Sequence, residues 1–559
     1  MIDLSGVKID LNVRVPMRDG ITLSADVYRP ASASGDGRYP TILFRTPYNK
    51  VSEVVIANCC TWARGGFAVV YMDVRGRGDS DGVFVPYRSD AVDGYDAIEW
   101  CAAQSWSNGN IGTSGGSYLG RIQMLTAVLR PPHLKAMSVS VAPSDPFVET
   151  PTGVPSPMHL CWLHYVSGRV VQNFDIVDWE KVYQHVPLIT MDEAAGRVVP
   201  WWREDLKHTQ FDDYWDAMSY QNRYSEIDVP ILHISGWYDD EQIGTPLNFM
   251  GMVKQGRSEH TRRNQKLLMG PWDHAVNSKS KLGEVDFGAQ ALIDLRGYQQ
   301  RWFRRWLNDE QNQIDSEPPI RMFVMGSNVW RDECEFPLER TQWTPYYLHS
   351  SGSANSRYGD GTLSAEAPAE ETADHFTYDP VRPFPFLTAP TSSQIGGPDD
   401  YAAVENRADV LVYTTLPLTE EVEVSGPIKV KLYAASSAPD TDFTAKLLDV
   451  WENGFAQRLT DGMVRARFRK GMDQPELITP NEIYEYEIDC WFTSQVFKRG
   501  HRIRLEINSS AFPKYDRNHN TGNPLGTDTE FRVAEQTIHH DAAHPSHVLL
   551  PIIPLRESN

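Results

Sequence analysis

A serine, an aspartate and a histidine occur along the chain in the order Ser117, Asp239 and His274. A serine hydroxyl becomes a nucleophile when a histidine takes its proton and a carboxylate holds that histidine in the productive tautomer. The order serine, acid, histidine is the one found where such a triad is built on an open α/β sheet. These three residues therefore predict acyl transfer with Ser117 as nucleophile, His274 as base and Asp239 as its orienting acid.

The turn around Ser117 is the most specific of these signals. Residues 111–120 read IGTSGGSYLG, between a short apolar stretch and a segment, residues 121–130, that is compatible with a helix. Gly115 and Gly120 would permit the tight strand-to-helix turn that exposes a nucleophilic hydroxyl. The second glycine lies three residues after the serine instead of two, and a glycine- and serine-rich loop without chemistry is the alternative interpretation.

The segments that must position these residues alternate between apolar runs and helix-compatible stretches. Such alternation predicts a parallel sheet covered by helices on both faces, and ligands collect at the carboxyl ends of its strands. Asp239 and His274 each follow such a run directly. The predicted strands are residues 39–45, 67–74, 134–141, 229–236 and 265–270, after a hairpin in residues 7–29.

Two further regions depart from this alternation. Residues 144–225 are rich in aromatic residues and predict a helical cap inserted into a catalytic α/β domain formed by residues 1–143 and 226–345. Residues 346–559 contain short, evenly spaced strand patterns that predict a jelly-roll β-sandwich, with residues 350–375 as a surface loop or linker. Aromatic residues of the cap are expected to wall a pocket: Trp162, His164, Tyr165, Trp201, Trp202, Tyr214 and Trp215.

Composition narrows the function classes. The 559 residues suffice for two or three domains, and the formal charge of −21 disfavours binding to nucleic acid or to an anionic membrane. Six scattered cysteines show no metal-ligand spacing, and the sequence shows neither a signal peptide nor an apolar run long enough to span a membrane. We expect a cytoplasmic protein that acts on a small molecule. No heptad or isolated apolar stripe argues for a homo-oligomer, although one is possible.

Three other polar features have simpler interpretations. Residues 75–82 (RGRGDSDG) could cradle a phosphate, but they lack the Walker lysine and do not lead directly into a helix. His233 lies inside a strand pattern and is expected to fill space. Asp240 is expected to point away from Asp239, because neighbouring side chains alternate in direction along an extended chain.

The chain resembles, over nearly its whole length, the serine hydrolases that include cocaine esterase, α-amino acid ester hydrolases, glutaryl-cephalosporin acylases and X-prolyl dipeptidyl aminopeptidases. The matching segments are residues 15–20 (VPMRDG), 45–48 (RTPY), 115–120 (GGSYLG), 236–239 (GWYD), 270–274 (GPWDH), 440–443 (DTDF), 448–450 (LDV), 500–504 (GHRIR) and 512–518 (FPKYDRN). The resemblance implies an α/β-hydrolase domain with a helical cap and a C-terminal jelly roll.

The resemblance also implies residue roles. Ser117, Asp239 and His274 would be the triad, and the Tyr48 hydroxyl with the backbone N–H of Tyr118 would form the oxyanion hole. Without the resemblance, Tyr48 reads as an aromatic packed beside Pro47. No metal or organic cofactor is required for this chemistry, and the jelly roll is assigned no ligand of its own.

The substrate class stays open at this stage. The amino-ester branch of the resembling family binds a substrate ammonium with carboxylates two and three residues after the triad acid, and these positions hold Glu241 and Gln242. One carboxylate and one amide leave that pocket in doubt, so a plain carboxylic ester or acyl amide ranks first. An α-amino acid ester hydrolase or acylase, an X-prolyl dipeptidyl peptidase, an acyltransferase and a catalytically dead binding scaffold are the alternatives.

Overall fold

The computed structural model describes residues 2–31, 37–389 and 396–554. The predicted outer domain limits, residues 1 and 559, lie outside these ranges. Within them, no helix is both long and apolar enough to cross a bilayer. No disulfide joins two cysteines in this part of the chain, and Cys334 alone among the six is exposed.

A ten-stranded sheet forms the framework of the first part of the described chain. Its strands are β1 (Val7–Pro16), β2 (Thr22–Pro30), β3 (Tyr39–Thr46), β4 (Ala68–Asp73), β5 (Ser107–Gly116), β6 (Leu134–Ser140), β7 (Ile231–Gly236), β8 (Gln265–Gly270), β11 (Ile320–Val324) and β12 (Val329–Glu333), and a separate hairpin contains β9 (Lys281–Leu282) and β10 (Val285–Asp286). The order in the sheet is β1-β2-β4-β3-β5-β6-β7-β8-β11-β12; the strands from β4 to β11 in this order are parallel, and antiparallel pairs close both edges.

Helices cover both faces of this sheet, which explains why β4, β7 and β8 are buried throughout. On one face, Trp62 and Trp302 belong to one apolar cluster, and on the other Ile98 and Leu125 belong to a second. The helices of this domain are α1 (Glu53–Arg64), α2 (Asp90–Ala102) and α3 (Tyr118–Val128), followed after the cap by α9 (Gly244–Gln255), α10 (Glu259–Arg263) and α11 (Leu295–Asn308).

Between β6 and β7 the chain leaves the sheet and forms short helices with a core of their own. Trp179 and Trp202 are fully buried in that core, together with Leu160 and Met191. The helices are α4 (His159–Tyr165), α5 (Trp179–Tyr183), α6 (Met191–Ala194), α7 (Pro200–Asp205) and α8 (Asp213–Asp216), with 3-10 turns at Leu188–Thr190 and Gln221–Glu226.

The last part of the chain is an eleven-stranded antiparallel-rich sheet that wraps around one apolar core. The chain passes to it between Glu333 and Gln342, a few residues before the predicted boundary at residue 345. The strands are β13 (Gln342–His349), β14 (Thr362–Ser364), β15 (Asp374–Tyr378), β16 (Leu411–Thr414), β17 (Val422–Ser436), β18 (Asp442–Val450), β19 (Ala456–Arg465), β20 (Tyr484–Phe497), β21 (Arg502–Asn508), β22 (Ala534–His539) and β23 (His547–Ile553).

One sequence interpretation needs correction here, and one alternative that the sequence already disfavoured finds no support. Residues 350–375 are not simply a linker, because they contain β14 and the start of β15, and the single apolar residue Leu363 is enough to anchor β14 in the core. The loop 75–82 uses its polar groups internally. Arg77 is buried and donates to two carbonyl oxygens, one of Pro47 directly after β3 and one of Val166 in the cap. The loop is therefore a clamp between catalytic domain and cap, and it offers no free cradle for a phosphate.

Candidate active site

Ser117 lies at a sharp turn between β5 and α3. Its backbone has φ 59° and ψ −129°, a strained conformation for a residue with a side chain. Its N–H is fixed by the carbonyl oxygens of Ser140 and Val141, at 3.1 and 2.9 Å. A Cβ at Gly120 would lie 2.7 Å from the Ser140 carbonyl oxygen, so only glycine lets α3 pack this closely against β6. The turn projects the Ser117 side chain into a large cavity.

A buried hydrogen-bond network fixes the N-terminal end of α3, the helix that follows the turn. The Tyr118 hydroxyl contacts Asp90 Oδ2 at 2.5 Å, and Arg45 Nη2 donates to the other oxygen of the same carboxylate at 2.9 Å. This buried network fixes the first residue of α3. Its backbone N–H, like those of any first helical turn, has no acceptor within the helix. Both features suit the Tyr118 N–H to hydrogen-bond an anion beside Ser117.

Asp239 and His274 lie on two neighbouring loops that follow β7 and β8. Backbone hydrogen bonds join these loops, from Trp237 N to Gly270 O at 2.9 Å and from Tyr238 N to Trp272 O at 3.0 Å. The result is a contact of 2.8 Å between His274 Nδ1 and Asp239 Oδ1. Nδ1 is thus oriented towards the carboxylate, and Nε2 is the ring nitrogen that remains to accept a proton.

Asp239 is held rigidly. Its side chain is fully buried; Ser235 Oγ donates to Oδ2 at 2.6 Å, and the backbone N–H of Glu241 donates to Oδ1 at 3.2 Å. Burial disfavours the imidazolium, yet the negative charges of Asp240 and Asp239 hold the pKa of His274 well above its ordinary value. The two carboxylates therefore favour the protonated form of the imidazole.

The expectation that Asp240 points away from the site is wrong. Asp240 Oδ1 lies 3.2 Å from His274 Nδ1, and the residue lines the same cavity as Ser117. Side chains alternate in direction only along an extended strand, and residues 240–243 form turns. His233, by contrast, is fully buried within β7 and contacts Gln265 Oε1 at 3.0 Å, as expected for a space-filling residue.

Tyr48 follows β3 and lines the cavity beside Ser117. Trp162 Nε1 of the cap donates to the Tyr48 hydroxyl oxygen at 3.2 Å. Burial raises the pKa of Tyr48, against the opposing effect of its hydrogen bonds with Trp162 and Ser117. The phenol therefore keeps its proton at neutral pH and can donate a hydrogen bond to an anion in the cavity.

The cavity measures about 760 Å³, a size that suits a small organic molecule. Of the predicted wall residues, Trp162, Tyr165, Trp201, Tyr214, Trp215 and Glu241 line it. Trp202 and His164 do not. Trp202 is fully buried in the cap core, where its indole N–H donates to Leu188 O, and His164 packs edge-on against Trp179. The sequence shows aromatic residues but not which face of a short helix they occupy.

Several cavity residues escaped the sequence analysis. Glu149 comes from the loop after β6, and Trp491, Lys514 and Tyr515 come from the jelly roll. Lys514 and Tyr515 lie in the motif FPKYDRN, residues 512–518. The sequence indicated this motif only as part of the family resemblance, without a place in the cavity. The jelly roll therefore contributes to the wall of the cavity.

Carboxylates dominate the charge of the cavity around His274. Burial and the charge of Asp240 raise the pKa of Glu149 to about 7, and burial raises the pKa of Glu241 well above its ordinary value. Glu241 Oε2 is buried and has no hydrogen-bond partner among the described residues. Gln242 does not belong to this group, because its side chain is hydrogen-bonded to the backbone of Phe492 in the jelly roll.

Comparisons with known proteins agree with this architecture. Residues 19–276 match the family model "X-Pro dipeptidyl-peptidase (S15 family)", and residues 312–549 match "X-Pro dipeptidyl-peptidase C-terminal non-catalytic domain". Cocaine esterase from Rhodococcus sp. (strain MB1 Bresler) is 37% identical over 573 residues, covering 97% of this chain and 98% of that protein.

Solved structures show the same fold. An α-amino acid ester hydrolase is 25% identical with a TM-score of 0.85, covering 98% of this chain and 97% of that one. An aminopeptidase from a marine sediment Thaumarchaeota archaeon is 24% identical with a TM-score of 0.87, covering 99% and 97%, and it supports the fold alone.

The parallel sheet, the inserted cap and the C-terminal jelly roll define an α/β-hydrolase enzyme of the kind predicted from the sequence motifs. The chain belongs to the CocE/NonD family of serine hydrolases.

Proposed function

We propose that this protein hydrolyses a small carboxylic ester through an acyl-enzyme intermediate, with Ser117 as nucleophile, His274 as general base and Asp239 as its orienting acid. The observation that carries the proposal is the convergence on one cavity of a strained serine turn and a histidine held at 2.8 Å by a buried carboxylate. Strained, non-glycine backbone conformations persist where the surrounding structure imposes them, and they concentrate at active sites.

The geometry supports the following sequence of steps. Ser117 Oγ attacks the ester carbonyl carbon while His274 Nε2 takes its proton. The Tyr48 hydroxyl and the Tyr118 N–H donate to the resulting oxyanion, and each such donor contributes about 3 to 4 kcal/mol to transition-state stabilisation. The tetrahedral intermediate then collapses, and the leaving alkoxide takes the proton from His274. Water, deprotonated by His274, releases the acyl group in the same way.

The nucleophile is tested by labelling the protein with a fluorophosphonate and mapping the modified peptide by mass spectrometry. Labelling of Ser117 that disappears in Ser117→Ala is the expected result, and a folded wild type that resists labelling would favour the binding-scaffold alternative. A panel of p-nitrophenyl esters, acyl amides and X-prolyl anilides then ranks ester, amide and peptide cleavage. Added amine as acceptor separates hydrolysis from acyl transfer.

The carboxylates beside His274 favour a substrate that carries an ammonium group close to its ester. Of the two permanent cations that line the cavity in the described chain, Lys514 pairs with Asp461 at 2.6 Å, and the charge of Arg121 acts on Glu149. Glu241 Oε2 is left without a partner among the described residues. A substrate ammonium would add a positive charge beside Glu241 and allow it to ionise.

This substrate class is tested with two p-nitrophenyl esters of the same acyl skeleton, phenylglycyl and phenylacetyl. We expect a kcat/KM about 10- to 100-fold higher for the ammonium ester, because hydrogen bonds to charged groups contribute about 1.5 to 3 kcal/mol. Glu241→Gln is expected to remove most of that preference and leave the neutral ester unaffected. Asp205→Asn is the control, since Asp205 lines the same cavity but accepts a hydrogen bond from Tyr214 at 2.5 Å. Equal rates on both esters in the wild type would contradict the proposal.

A cytoplasmic location is proposed only from the sequence, and the oligomeric state is left open because no sequence pattern argues for self-association. Cell fractionation and sedimentation of the purified protein test them.

A further inference from the structure

The imidazole of His274 lies between two carboxylates, although a serine triad needs one. Nδ1 is 2.8 Å from Asp239 Oδ1 and 3.2 Å from Asp240 Oδ1. The two oxygens of Asp239 have further donors in Ser235 and the backbone of Glu241. The Oδ1 atom of Asp240 is buried and meets no hydrogen-bond donor with good geometry among the described residues, and its ion-pair contact is with the imidazole of His274.

The surroundings of His274 make this contact functionally relevant. The titratable groups that face it are Asp239, Asp240 and Glu241 from the loop after β7, Glu149 from the loop after β6, and Tyr48 after β3. Apart from His274, no cation lies within salt-bridge distance of Asp240 in the described chain. A buried carboxylate is costly unless it is paired with a positive charge. The imidazolium that forms during catalysis is the charge available to it.

We propose that Asp240 is a second carboxylate partner of His274, a positioning residue that shares the Nδ1 proton with Asp239 and stabilises the imidazolium during acyl transfer. This inference rests on the proposed triad. It has two consequences. The acid limb of the pH profile lies higher than one carboxylate alone would place it, and the loss of Asp239 is partly compensated.

The first test is the pH dependence of kcat/KM for a neutral ester such as p-nitrophenyl phenylacetate, in wild type and Asp240→Asn. The acid limb reports the pKa of the base in the free enzyme. Removing one negative charge from beside the imidazole favours its neutral form, so the limb should move to lower pH by about one unit. Asp205→Asn, in the same cavity but bound to Tyr214, should leave the limb in place. An unchanged limb in Asp240→Asn would overturn the proposal.

The second test compares Asp239→Asn with Asp239→Asn/Asp240→Asn. Loss of the acid in a serine triad costs about 10⁴-fold in kcat when nothing replaces it. We expect a smaller loss in the single variant and at least a further tenfold loss in the double variant. Identical rates would contradict the sharing of the proton. Fluorophosphonate labelling of the wild type keeps the two proposals apart, since its failure would count against the triad itself. A change confined to the KM of the ammonium ester would instead assign Asp240 to substrate binding.

A second, independent inference concerns the jelly roll. His539 at the end of β22 and Asp541 and His544 in the following loop bring one imidazole nitrogen or carboxylate oxygen each to within 4.8 Å of one another. The loop is folded back by hydrogen bonds from Ser546 Oγ to His539 O at 2.6 Å and from Tyr433 N to Ser546 Oγ at 2.9 Å. His544 Nδ1 contacts Asp541 Oδ1 at 3.1 Å, and the two imidazole rings are 5.4 Å apart.

The structure assigns to this cluster a binding site for a divalent transition metal such as Zn²⁺. Two imidazoles and a carboxylate are donors that Zn²⁺ prefers, with water as a fourth ligand. None of the three residues lines the catalytic cavity, so the site is separate from the proposed ester chemistry.

The test is isothermal titration of the tag-free protein with ZnCl₂. His539→Ala and His544→Ala should each weaken one binding event at least tenfold. His547→Ala is the matched control, because that ring is hydrogen-bonded to Pro545 O at 2.8 Å. Unaltered binding in both His539→Ala and His544→Ala, an equal loss in His547→Ala, or no binding by the wild type would overturn the site.

Discussion

The catalytic cavity and the jelly roll both bury charged side chains, but the two regions differ in how these charges are paired. In the jelly roll, Asp442 forms a two-point pair with Arg465 at 2.8 and 2.9 Å, and Asp461 lies between Arg458 and Lys514. In the cavity, Asp240 and Glu241 share His274 as a neighbouring cation, and Glu149 lies near Arg121. The desolvation of a carboxylate is similar in both places.

This difference distinguishes buried carboxylates that stabilise the fold from buried carboxylates that can bind a proton or a ligand. Burial disfavours the charged form of Asp461, yet Lys514 and Arg458 lower its pKa, so this carboxylate is ionised and fixed. Burial and the charges of neighbouring carboxylates raise the pKa of Glu149, Asp240 and Glu241 in the cavity. Burial also raises the pKa of Asp442, but there the protein supplies Arg465 as an opposing charge. Charges that the protein itself neutralises hold the fold together, and charges left without a partner indicate where a proton or a ligand is to be bound.

The largest expected effect is on catalysis. Ser117→Ala should reduce kcat by about 10⁴- to 10⁶-fold, as expected when a triad nucleophile is removed. Its thermal unfolding should be close to that of the wild type, because the fold does not depend on the serine hydroxyl. Steady-state kinetics on an activated ester and a melting curve measure the two effects. A variant that retains most of its activity would remove Ser117 from the mechanism.

Two amide substitutions test whether a paired and an unpaired buried carboxylate differ in their contribution to stability. Asp442→Asn leaves Arg465 buried without its partner and should lower the free energy of unfolding by about 3 to 5 kcal/mol. Glu149→Gln removes a carboxylate that burial already disfavours, and it should leave the stability at pH 7 unchanged or higher. Chemical denaturation measures both. Glu487→Gln, which breaks the exposed pair with Lys429, is the control and should change stability by about 0 to 1 kcal/mol. Equal losses in both buried variants would refute the distinction.

The oxyanion contact gives an effect of intermediate size. Tyr48→Phe should lower kcat by about 10²- to 10³-fold with little change in KM, because the hydroxyl acts on charge that develops in the transition state. Tyr165→Phe is a matched control, since its ring lies 5.8 Å from that of Tyr48 and lines the same cavity. An equal loss of kcat in both variants would indicate a packing defect.

The smallest expected effect is the pH dependence of stability. The pKa of Glu149 is about 7 in the folded protein and about 4.5 when unfolded. Because the folded form binds the proton more tightly, its stabilising contribution is complete below pH 4.5 and is lost as the pH rises towards 7. Glu149→Gln should therefore flatten the fall in stability over this window by about 1 to 3 kcal/mol. Denaturation curves at pH 4.5, 5.5 and 7 measure it, and an identical slope would contradict the shift.

The sequence by itself determined most of the catalytic scaffold. The glycines around Ser117 permit one tight turn, and continuously apolar runs such as residues 265–270 form strands buried on both faces. Short-range rules suffice there, because backbone sterics and burial act on neighbouring residues. They also placed Asp239 and His274 after consecutive strands.

Only the tertiary structure decided the direction of side chains in turns and the contributions of distant segments. Asp240 turns towards His274 because its loop is not extended. Gln242 turns away because its side-chain amide donates to the carbonyl oxygen of Phe492 and accepts from the Phe492 N–H. Trp202, predicted in the cavity wall, lies in the cap core instead. Glu149 and Tyr515, which were not predicted there, line the cavity from loops far apart in sequence. No local pattern encodes these outcomes, since each follows from which surfaces three packed domains bring into contact.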